Sequence, residues 1–498
     1  MFFTILRKEL ALHILTLRFQ IGFLVCVGLI SVIAWISTVG FDKRVVEHRA
    51  IVAEAREDIA KVEVYSDLSC NHRLQAHRAP RPLAVFCQGV EGRLSDHFEI
   101  AHCLAPGQLG SMHTGDPFAR MFTDYDVVTI LQVILSFLAL LFAYDAISGE
   151  RETGTLTLVL ANPGSRGQLL LGKYLGALVS LSIPLIFSFL VAIAIMQSSP
   201  YLHLSTDDWA RIGLIFLLSL LYLSTFLLLG LLLSVNTQQS VTTLLWGTLC
   251  WVLLVLLYPT AVLFSVDRMK PLPAQDSTVQ AVEELRQEFK REAEGFLEQR
   301  GKEKAWDGLR GSRSSSSDGV GETVRVTPQR DDHGVIDPQT EEAMRFAREF
   351  YAFQEPLRAE YADRIERLWQ TYVENHLHAQ AGLVWGLLRL SPAGLLAEAT
   401  SMAADTDLAS YQRFVGQARR FRGDLTRYLE NRDAFGSRLW FTSIDDEVEI
   451  SSLPHFAEVP EGFAELLGRL ASRIGVLAAL NGILFVATLS AFGRKQII

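Results

Sequence analysis

The chain has 498 residues, of which 49% are hydrophobic and 20% are charged, and its mean hydropathy of +0.23 is higher than a water-soluble domain usually reaches. Its net charge of -9 provides no basic excess for a polyphosphate backbone, which argues against nucleic-acid binding. Five cysteines in a chain of this length exclude a scaffold built on disulfides. The composition therefore predicts a membrane protein with large water-exposed segments.

Six uncharged runs are long enough to cross a bilayer, because a transmembrane helix needs about 20 apolar residues. The uncharged runs are approximately 19–39, 127–144, 174–196, 212–235, 241–264 and 474–492, and the spans predicted on them are 19–39, 127–146, 174–196, 210–235, 240–265 and 474–492. Arg7 and Lys8 precede the first run, but its length and the lack of an A-x-A-like cleavage site favour a retained anchor over a signal peptide. The predicted fold class is mainly α, a polytopic membrane protein with a large helical extracytoplasmic domain and a small α+β insertion.

The orientation follows from the short loops, where Lys and Arg mark the cytoplasmic side. Basic residues precede the first span, lie between the second and third, and follow the sixth: Arg7, Lys8, Arg18, Arg151, Arg166, Lys173, Arg494 and Lys495. The short loop 197–209 on the opposite side has no Lys or Arg. We therefore expect a multi-pass protein of the cytoplasmic (inner) membrane, with both termini in the cytoplasm and segments 40–126 and 266–473 outside.

The first 18 residues predict a helix with an apolar stripe that includes Phe3, Leu6 and Leu10. Two arrangements fit this pattern. The helix lies in the membrane interface, or it extends the first span into the cytoplasm. None of the six runs has an ionisable residue in its interior, which argues against an ion-coupled carrier.

The smaller outer segment, 40–126, continues the first helix to about Ala60 and then changes character. Residues 81–89 predict a short strand closed by a turn, and residues 97–103 predict another. The segment also contains half of the chain's 12 histidines, with three cysteines and a methionine: His48, His72, His77, His97, His102, His113, Cys70, Cys87, Cys103 and Met112. Such residues can bind copper or zinc, although their spacing matches no defined motif. A disulfide among the cysteines and scattered surface histidines are the alternatives, and no metal ligand is assigned.

The loop 147–173 between the second and third spans has the most informative sequence. The informative stretch starts two residues before the loop, with Asp-Ala-Ile-Ser-Gly-Glu-Arg-Glu-Thr-Gly-Thr-Leu at 145–156, and continues through Asn-Pro-Gly-Ser-Arg at 162–166 to Leu-Leu-Gly-Lys at 170–173. An ordinary amphipathic loop is the simpler interpretation. The stretch, however, resembles the first cytoplasmic loop of permease subunits of the second class of ABC exporters, which has a similar D-x-I-S-G-E-R-E-x-G-T-L motif.

In that family the loop forms a coupling helix that docks on a separate ATP-binding subunit. The resemblance therefore implies an ATPase-docking site made by Gly149, Glu150, Arg151, Gly154, Thr155, Leu156, Pro163 and Arg166. It also implies a second permease subunit, identical or different, and it implies no cofactor in this chain, since ATP and magnesium belong to the partner. The spacing Gly167 to Lys173 resembles a phosphate-binding loop, but Tyr174 stands where Ser or Thr would hold magnesium. We therefore expect a transport component and not an enzyme.

The larger outer segment, 266–473, predicts long helices. Asp337 followed by Pro338 suits a helix start, and Pro356 is expected to kink or divide that helix. Residues 311–319 are rich in Ser and Gly and predict a flexible loop tip. The apolar patch 383–396 fits either the outer membrane interface or the domain core. Arginines on 411–428 predict a basic helix face, most simply a solvated one.

Three stretches of the outer segments resemble a narrower subset of these permeases with a large outer domain. They are P-L-x-x-F-x-x-G from Pro82, L-S-P-A from Leu390, and T-D-L-A-S-Y-Q-R-F from Thr406. Two other functions stay open beside ATP-driven solute export. One is mechanical transmission of ATP energy to an extracytoplasmic partner, and the other is a membrane-anchored protein that binds a metal or a peptide.

Overall fold

The computed structural model describes residues 2–70, 72–91, 94, 96–104, 126–156, 166–270, 276–301, 311–315, 322–326, 336–443 and 448–494. Its main helices in chain order are α1 (Phe2–Leu15), α2 (Leu17–Ile59), α3 (Val127–Glu152), α4 (Arg166–Gln197), α5 (Thr206–Asn236), α6 (Ser240–Met269), α7 (Asp276–Gly301), α8 (Pro338–Tyr372), α9 (Ala379–Leu388), α10 (Pro392–Ala403), α11 (Leu408–Asn431) and α12 (Phe463–Arg494). Six of these, α2 to α6 and α12, are long and apolar enough to cross a membrane. The predicted fold class and the number of spans are therefore confirmed.

Polar caps explain where several of the spans begin. Thr16 has an extended backbone, and its hydroxyl accepts a hydrogen bond from Phe19 N, so α1 ends and α2 starts anew. The N-terminal helix is therefore separate from the first span. Asp126 caps α3 by accepting from Thr129 N at 2.7 Å. Ser205 and Asp208 form a reciprocal capping box at the start of α5.

The membrane bundle is organised around α3 and α5. Each has 67% of its most apolar window buried, compared with 17% for α12 and 22% for α2. The two central helices approach closely at Gly230, where an added Cβ would lie 2.6 Å from the Cβ of Ala143. Tyr222 in α5 also donates a hydrogen bond to the carbonyl of Gln132 in α3 at 2.9 Å.

The smaller outer segment combines the far end of α2 with a two-stranded sheet. With 43 residues, α2 is about 65 Å long, roughly twice the thickness of the hydrocarbon core. Strands β1 (Leu74–His77) and β2 (His97–Ile100) pair antiparallel, which confirms the strand predicted at 97–103 for its first four residues. The strand predicted at 81–89 is wrong, because Pro82–Val85 forms a 3-10 helix whose Leu83, Ala84 and Val85 are all buried. Proline fixes φ and suits the start of such a turn.

The larger outer segment contains a long antiparallel helical hairpin. The rings of Phe289 and Tyr361 lie 5.6 Å apart, and those of Phe296 and Phe353 lie 4.4 Å apart, so α7 and α8 run side by side. Asp337 precedes Pro338 at the start of α8, as predicted, but α8 continues through Pro356 and is not divided there. Residues 311–319 were expected to form a loop, yet β3 (Gly311–Ser315) pairs with β4 (Glu322–Val326), while 316–319 lie outside the described residues.

A second helical hairpin, α9 and α10, packs against the membrane spans. Ser391, in the turn between the two helices, donates to the carbonyl of Leu254 in α6 at 2.6 Å. Leu254 lies 11 residues before residue 265, the predicted outer end of that span. At 1.5 Å per residue this is about 16 Å along the helix axis, so the turn of the hairpin contacts the span well inside its predicted end. The apolar patch 383–396 therefore has a buried part and an exposed part. Its buried members, Val384, Leu388, Leu395 and Leu396, pack on the spans, whereas Leu383, Leu387 and Leu390 are exposed.

Candidate functional site

The C-terminal end of α3, which is the predicted cytoplasmic end, forms a compact elbow, here residues 147–156. After a turn, the chain makes a short helical piece, Ser148–Glu152, before Gly154 with φ +71 reverses it. The backbone N–H groups of Ile147 and Ser148 both donate to the hydroxyl of Ser234 in α5 at 3.0 Å. The base of the elbow is therefore fixed to a central span.

A buried lysine ties the elbow to two further helices. The Nζ of Lys173 in α4 lies 2.8 Å from Glu150 in the elbow and 2.9 Å from Glu9 in α1. The Lys173 side chain is only 4% exposed, so both contacts are made away from water. One cation thus holds α1, α4 and the elbow in a fixed relation.

Arg151 points in another direction, to the C-terminal end of α5. Its guanidinium donates to the carbonyl of Thr237 at 2.5 Å and approaches that of Val235 at 3.4 Å. These are carbonyls that the end of a helix leaves without an intrahelical partner. Glu150 and Arg151 therefore orient the elbow from within, and their direct contact with another subunit stays a prediction.

The exposed part of the elbow is the turn from Glu152 to Thr155. Leu156, which follows it, is buried in a small apolar cluster with Ile147, Leu169, Val235 and Phe492. Arg166 begins α4 and donates to the carbonyl of Gly493 in α12 at 2.9 Å. Of the predicted docking residues, the structure thus exposes Gly154 and Thr155, half-buries Gly149, Glu150 and Arg151, and buries Leu156. Pro163 lies outside the described residues.

A second charged cluster joins the spans to the outer domain, and we call it the outer junction. Arg211 in α5 is 4% exposed and donates to the carbonyls of Ala403 at 3.1 Å and Glu461 at 2.6 Å. Arg469 in α12 reaches the carboxylates of Asp407 at 3.1 Å and Glu461 at 2.6 Å. Each of these arginines joins a span to a segment of the outer domain.

A third part of the outer junction surrounds Glu398 in α10. This carboxylate, 7% exposed, pairs with Arg389 at 2.7 Å and with Arg473 of α12 at 2.9 Å. The junction was not among the sites predicted from the sequence. Two features of the sequence could have indicated it. Arg211 is a charged residue near the end of the predicted span 210–235, and Arg469 and Arg473 stand one helical turn apart just before the sixth predicted span.

The basic face of α11 is solvated only in part, since Arg420 and Arg427 are exposed and the other three arginines are paired. Arg413 pairs with Asp405 at 2.5 Å, and Arg419 and Arg422 both pair with Glu366 of α8, at 2.8 and 2.9 Å. The prediction of a solvated face is therefore wrong for these three arginines, which link α11 to neighbouring segments.

A buried polar group lies inside the outer domain, where α8 meets the smaller segment. His102 Nε2 lies 2.5 Å from Glu355, which Arg358 also contacts at 3.0 Å. Burial alone would raise the pKa of Glu355, but Arg358 and His102 outweigh that effect and hold the pKa below its ordinary value. The interior of the domain thus contains an ionised carboxylate between two partners.

The histidines and cysteines of the smaller segment do not form one cluster. Cys87 has a buried thiol 3.8 Å from the hydroxyl of Thr400 and forms no disulfide with a cysteine whose side chain is described. His102 is enclosed beside Glu355, while the side chain of Cys70 and residues Met112 and His113 lie outside the described residues. Among the residues with described side chains, no three or more His, Cys, Asp or Glu groups are already converged around a metal position.

Two family matches divide the chain between its membrane part and its outer domain. Residues 3–290, more than half of the chain, match the family described as "ABC-2 family transporter protein". Residues 328–446 match the domain of unknown function DUF3526, which fits the predicted subset of permeases with a large outer domain.

Two curated proteins are similar to the membrane part, and both are named "Probable ABC transporter permease protein NosY". The one from Stutzerimonas stutzeri is 36% identical over 162 residues, which are 32% of this chain and 55% of that protein. The one from Pseudomonas aeruginosa is 43% identical over 79 residues, which are 16% of this chain and 29% of that protein. The chain thus spans about half of one relative and less of the other.

Proposed function

Because the chain belongs to the ABC-2 family of transporter proteins and is the membrane permease subunit of an ABC transporter, we propose that ATP hydrolysed by a separate subunit drives it to export a solute across the cytoplasmic membrane. The observation that supports this best is the elbow. Its turn from Glu152 to Thr155 is exposed, while its base is fixed to several spans. Such a construction suits a lever that receives force from outside the bilayer.

The contacts of the elbow indicate how a push on the turn would spread. Lys173 passes a displacement of Glu150 to α4 and α1, and Arg151 passes it to the end of α5. Ser240, at the start of α6, donates to the carboxylate of Glu152 at 2.7 Å. Four helices thus follow the elbow, and alternation between two arrangements of them would open a path for solute.

The proposed assembly contains two ATP-binding subunits and a second permease, either another copy of this chain or a different one. ATP and magnesium bind in the ATP-binding subunits, and this chain has no catalytic role of its own. The N-terminal helix and the elbow face the cytoplasm in the predicted orientation.

Pull-down of the tagged chain, with the co-purified proteins identified and their ATPase activity measured, tests this proposal. We expect an ATP-binding protein to co-purify with the wild-type chain. Thr155→Arg places a long cation on the exposed turn and should reduce the recovered partner and its ATPase activity at least tenfold. Thr206→Arg changes an equally exposed threonine at the opposite end of the bundle, so it is the matched control. Equal recovery with both variants would contradict the proposal.

The outer junction favours a second function, in which the same ATP-driven motion moves the outer domain instead of a solute. Arg211 and Arg469 join two different spans to the outer segments, so the spans and the outer domain are coupled mechanically. Spectroscopic labels at the exposed Val279 of α7 and at Thr206 would report this movement. A distance that changes on ATP binding, without solute accumulation in vesicles, supports transmission, and a constant distance rejects it.

A further inference from the structure

The span α6 is interrupted near its middle by a turn of π-helix, Val252–Leu257. After this turn the backbone N–H of Tyr258 donates to the carbonyl of Leu253, five residues earlier, instead of to that of Leu254, four residues earlier. The next residue is Pro259, which has no N–H to donate. The carbonyl of Leu254 therefore loses both of the donors that the following turn of its own helix would offer.

The missing donor comes from the outer domain. Ser391, in the turn between α9 and α10, is fully buried, and its hydroxyl donates to the carbonyl of Leu254 at 2.6 Å. An unpaired carbonyl inside a bilayer is costly because no water is available there, and a partner from a neighbouring segment removes that cost. One side chain of the outer domain thus completes the hydrogen bonding of a distant span.

The two halves of α6 contact different parts of the molecule. Before the π-helical turn, Trp251 donates from Nε1 to the hydroxyl of Ser136 in α3 at 2.8 Å, and its ring lies 5.0 Å from that of Phe137. After the turn, the hydroxyl of Tyr258 donates to the carbonyl of Leu387 in α9 at 2.8 Å. Apolar residues of this second half form one cluster with residues of α9: Val262, Leu263, Val266, Ala381, Val384 and Leu388. The first half is therefore held by the bundle and the second by α9.

The helix α9 has a similar boundary at its other end. A second turn of π-helix, Val373–His378, separates α9 from α8. Gln380, at the start of α9, donates to the carbonyl of Lys270, just after α6, at 3.3 Å. Residues 258–270 and 379–388 thus form one packed unit, here called the outer strut, and each of its two helices is joined to the preceding helix by a π-helical turn. Such turns are rare and lie frequently at functional sites.

We propose that α6 bends at residues 252–259 when the transporter changes state, so that the outer strut turns as one body, and that Ser391 is the latch of this hinge. The proposal rests on the proposed function, which requires the spans to alternate between two arrangements. A proline and a π-helical turn are both established causes of helix bending. Ser391 begins α10, which packs on α5, so its bond to Leu254 holds the hinge against the bundle.

Distances between spectroscopic labels within α6 test the latch in the purified full-length chain in lipid nanodiscs. Leu245 and Phe264 are exposed and lie 19 residues apart on either side of the hinge, a separation of about 28 Å. We expect a narrow distance distribution in the wild type and at least twice that width in Ser391→Ala. Labels at the exposed Leu217 and Asn236, also 19 residues apart on the uninterrupted α5, are the matched control and should stay narrow in both proteins.

A second variant separates the latch from another role of the same side chain. Ser391 also caps α10 by accepting from the N–H of Ala393 at 3.2 Å. Pro259→Ala returns an N–H to α6, so the helix can resume the regular register in which Tyr258 donates to Leu254. Pro259→Ala should therefore restore the narrow distribution in the Ser391→Ala background, which a change in α6 would not do if only the cap were lost. A distribution that is narrow in Ser391→Ala, or that stays broad in the double variant, would overturn the proposal.

The same labels test the movement of the hinge in the complex with an ATP-binding subunit. ATP should change the distance between the labels on α6 and leave the distance within α5 as it was. A complex that hydrolyses ATP with no change in the α6 distance would overturn the hinge but not the ATP-driven function. The measurements on the latch need neither ATP nor a partner, so their failure also leaves the proposed permease function untouched.

Discussion

The elbow and the outer junction are the two places where charged side chains fasten the membrane helices, and they differ in construction. The elbow uses one buried lysine between two carboxylates and leaves its turn exposed. The junction uses several arginines, of which Arg211 and Arg469 each contact two other segments, and it joins residues as far apart in sequence as Arg211 and Glu461. One region is suited to receive a partner, and the other holds two parts of the same chain together.

Desolvation gives the physical reason for this difference. A buried ion must recover its lost hydration through several good contacts, and removal of one partner leaves an uncompensated charge. The arginines of the junction meet this requirement with paired acceptors. The exposed turn of the elbow incurs little such cost, so its surface is accessible to another protein. Substitutions should therefore act on stability at buried charges and on assembly at the turn.

The largest effect on stability is expected for Lys173→Ala. The change leaves the buried carboxylate of Glu9 and the half-buried carboxylate of Glu150 without their cation, which costs about 3–5 kcal/mol of unfolding free energy. Thermal unfolding of the purified protein measures it. Lys8→Ala removes an exposed lysine from the same end of the molecule and is the control. Equal melting temperatures for the two variants would show that the elbow is not held by this cluster.

Glu398→Gln should have the next largest effect and tests the outer junction. The amide keeps the size of the side chain but no longer neutralises Arg389 and Arg473, so we expect a loss of about 1.5–3 kcal/mol. Limited proteolysis should also cut the outer domain faster. Glu465→Gln, in the exposed first turn of α12, serves as the comparison, and the junction would lose its assigned role if both variants were equally resistant.

A smaller, pH-dependent effect is expected from Glu355 inside the outer domain. Its pKa in the folded protein lies below the ordinary value of 4.5, so its ionised form stabilises the fold above that pH. This contribution is lost as the pH falls through the lowered pKa. The difference in melting temperature between wild type and Glu355→Gln should therefore be constant well above pH 4.5 and should shrink as the pH falls below that value. A difference that stays constant would contradict the assignment.

Thr155→Arg should have the smallest effect on stability, within about 0.5 kcal/mol of the wild type, because the side chain is exposed. The Thr155→Arg substitution should instead reduce the amount of ATP-binding protein that co-purifies with the chain. Chemical denaturation measured beside Lys173→Ala separates the two roles within the elbow. A destabilisation as large as that of Lys173→Ala would mean that the turn is structural and not a free surface.

Much of this architecture could be predicted from the sequence because hydropathy and charge act over short stretches. Six uncharged runs predict six spans, and the stretch from Asp145 to Lys173 indicates the family from local residues alone. The side-chain directions could not be predicted. Glu150 and Arg151 stand in a polar loop, where exposure is the natural expectation, yet Lys173 and the carbonyl ends of α5 turn both inward.

The structure of irregular segments was the least predictable, because it too depends on contacts with distant parts of the chain. The apolar residues at Pro82–Val85 suggest a strand, but burial on all sides removes the alternation that distinguishes a strand from a tight helical turn. The hairpin of α9 and α10 depends on Gly394, where any Cβ would collide with the carbonyl of Leu388, and on the bond from Ser391 to Leu254 in a distant helix.

The sequence by itself determined that this is a six-span membrane protein of the ABC-2 family, because local composition and a contiguous motif carry that information. Only the tertiary structure decided which charges serve as internal anchors, that Arg211 and Arg469 join the spans to the outer domain, and that His48, His77 and His97 share one face. Those relations join residues far apart in the chain. They exist only after packing has brought the helices and strands together, because an ion pair or a ring contact requires approach within a few ångströms.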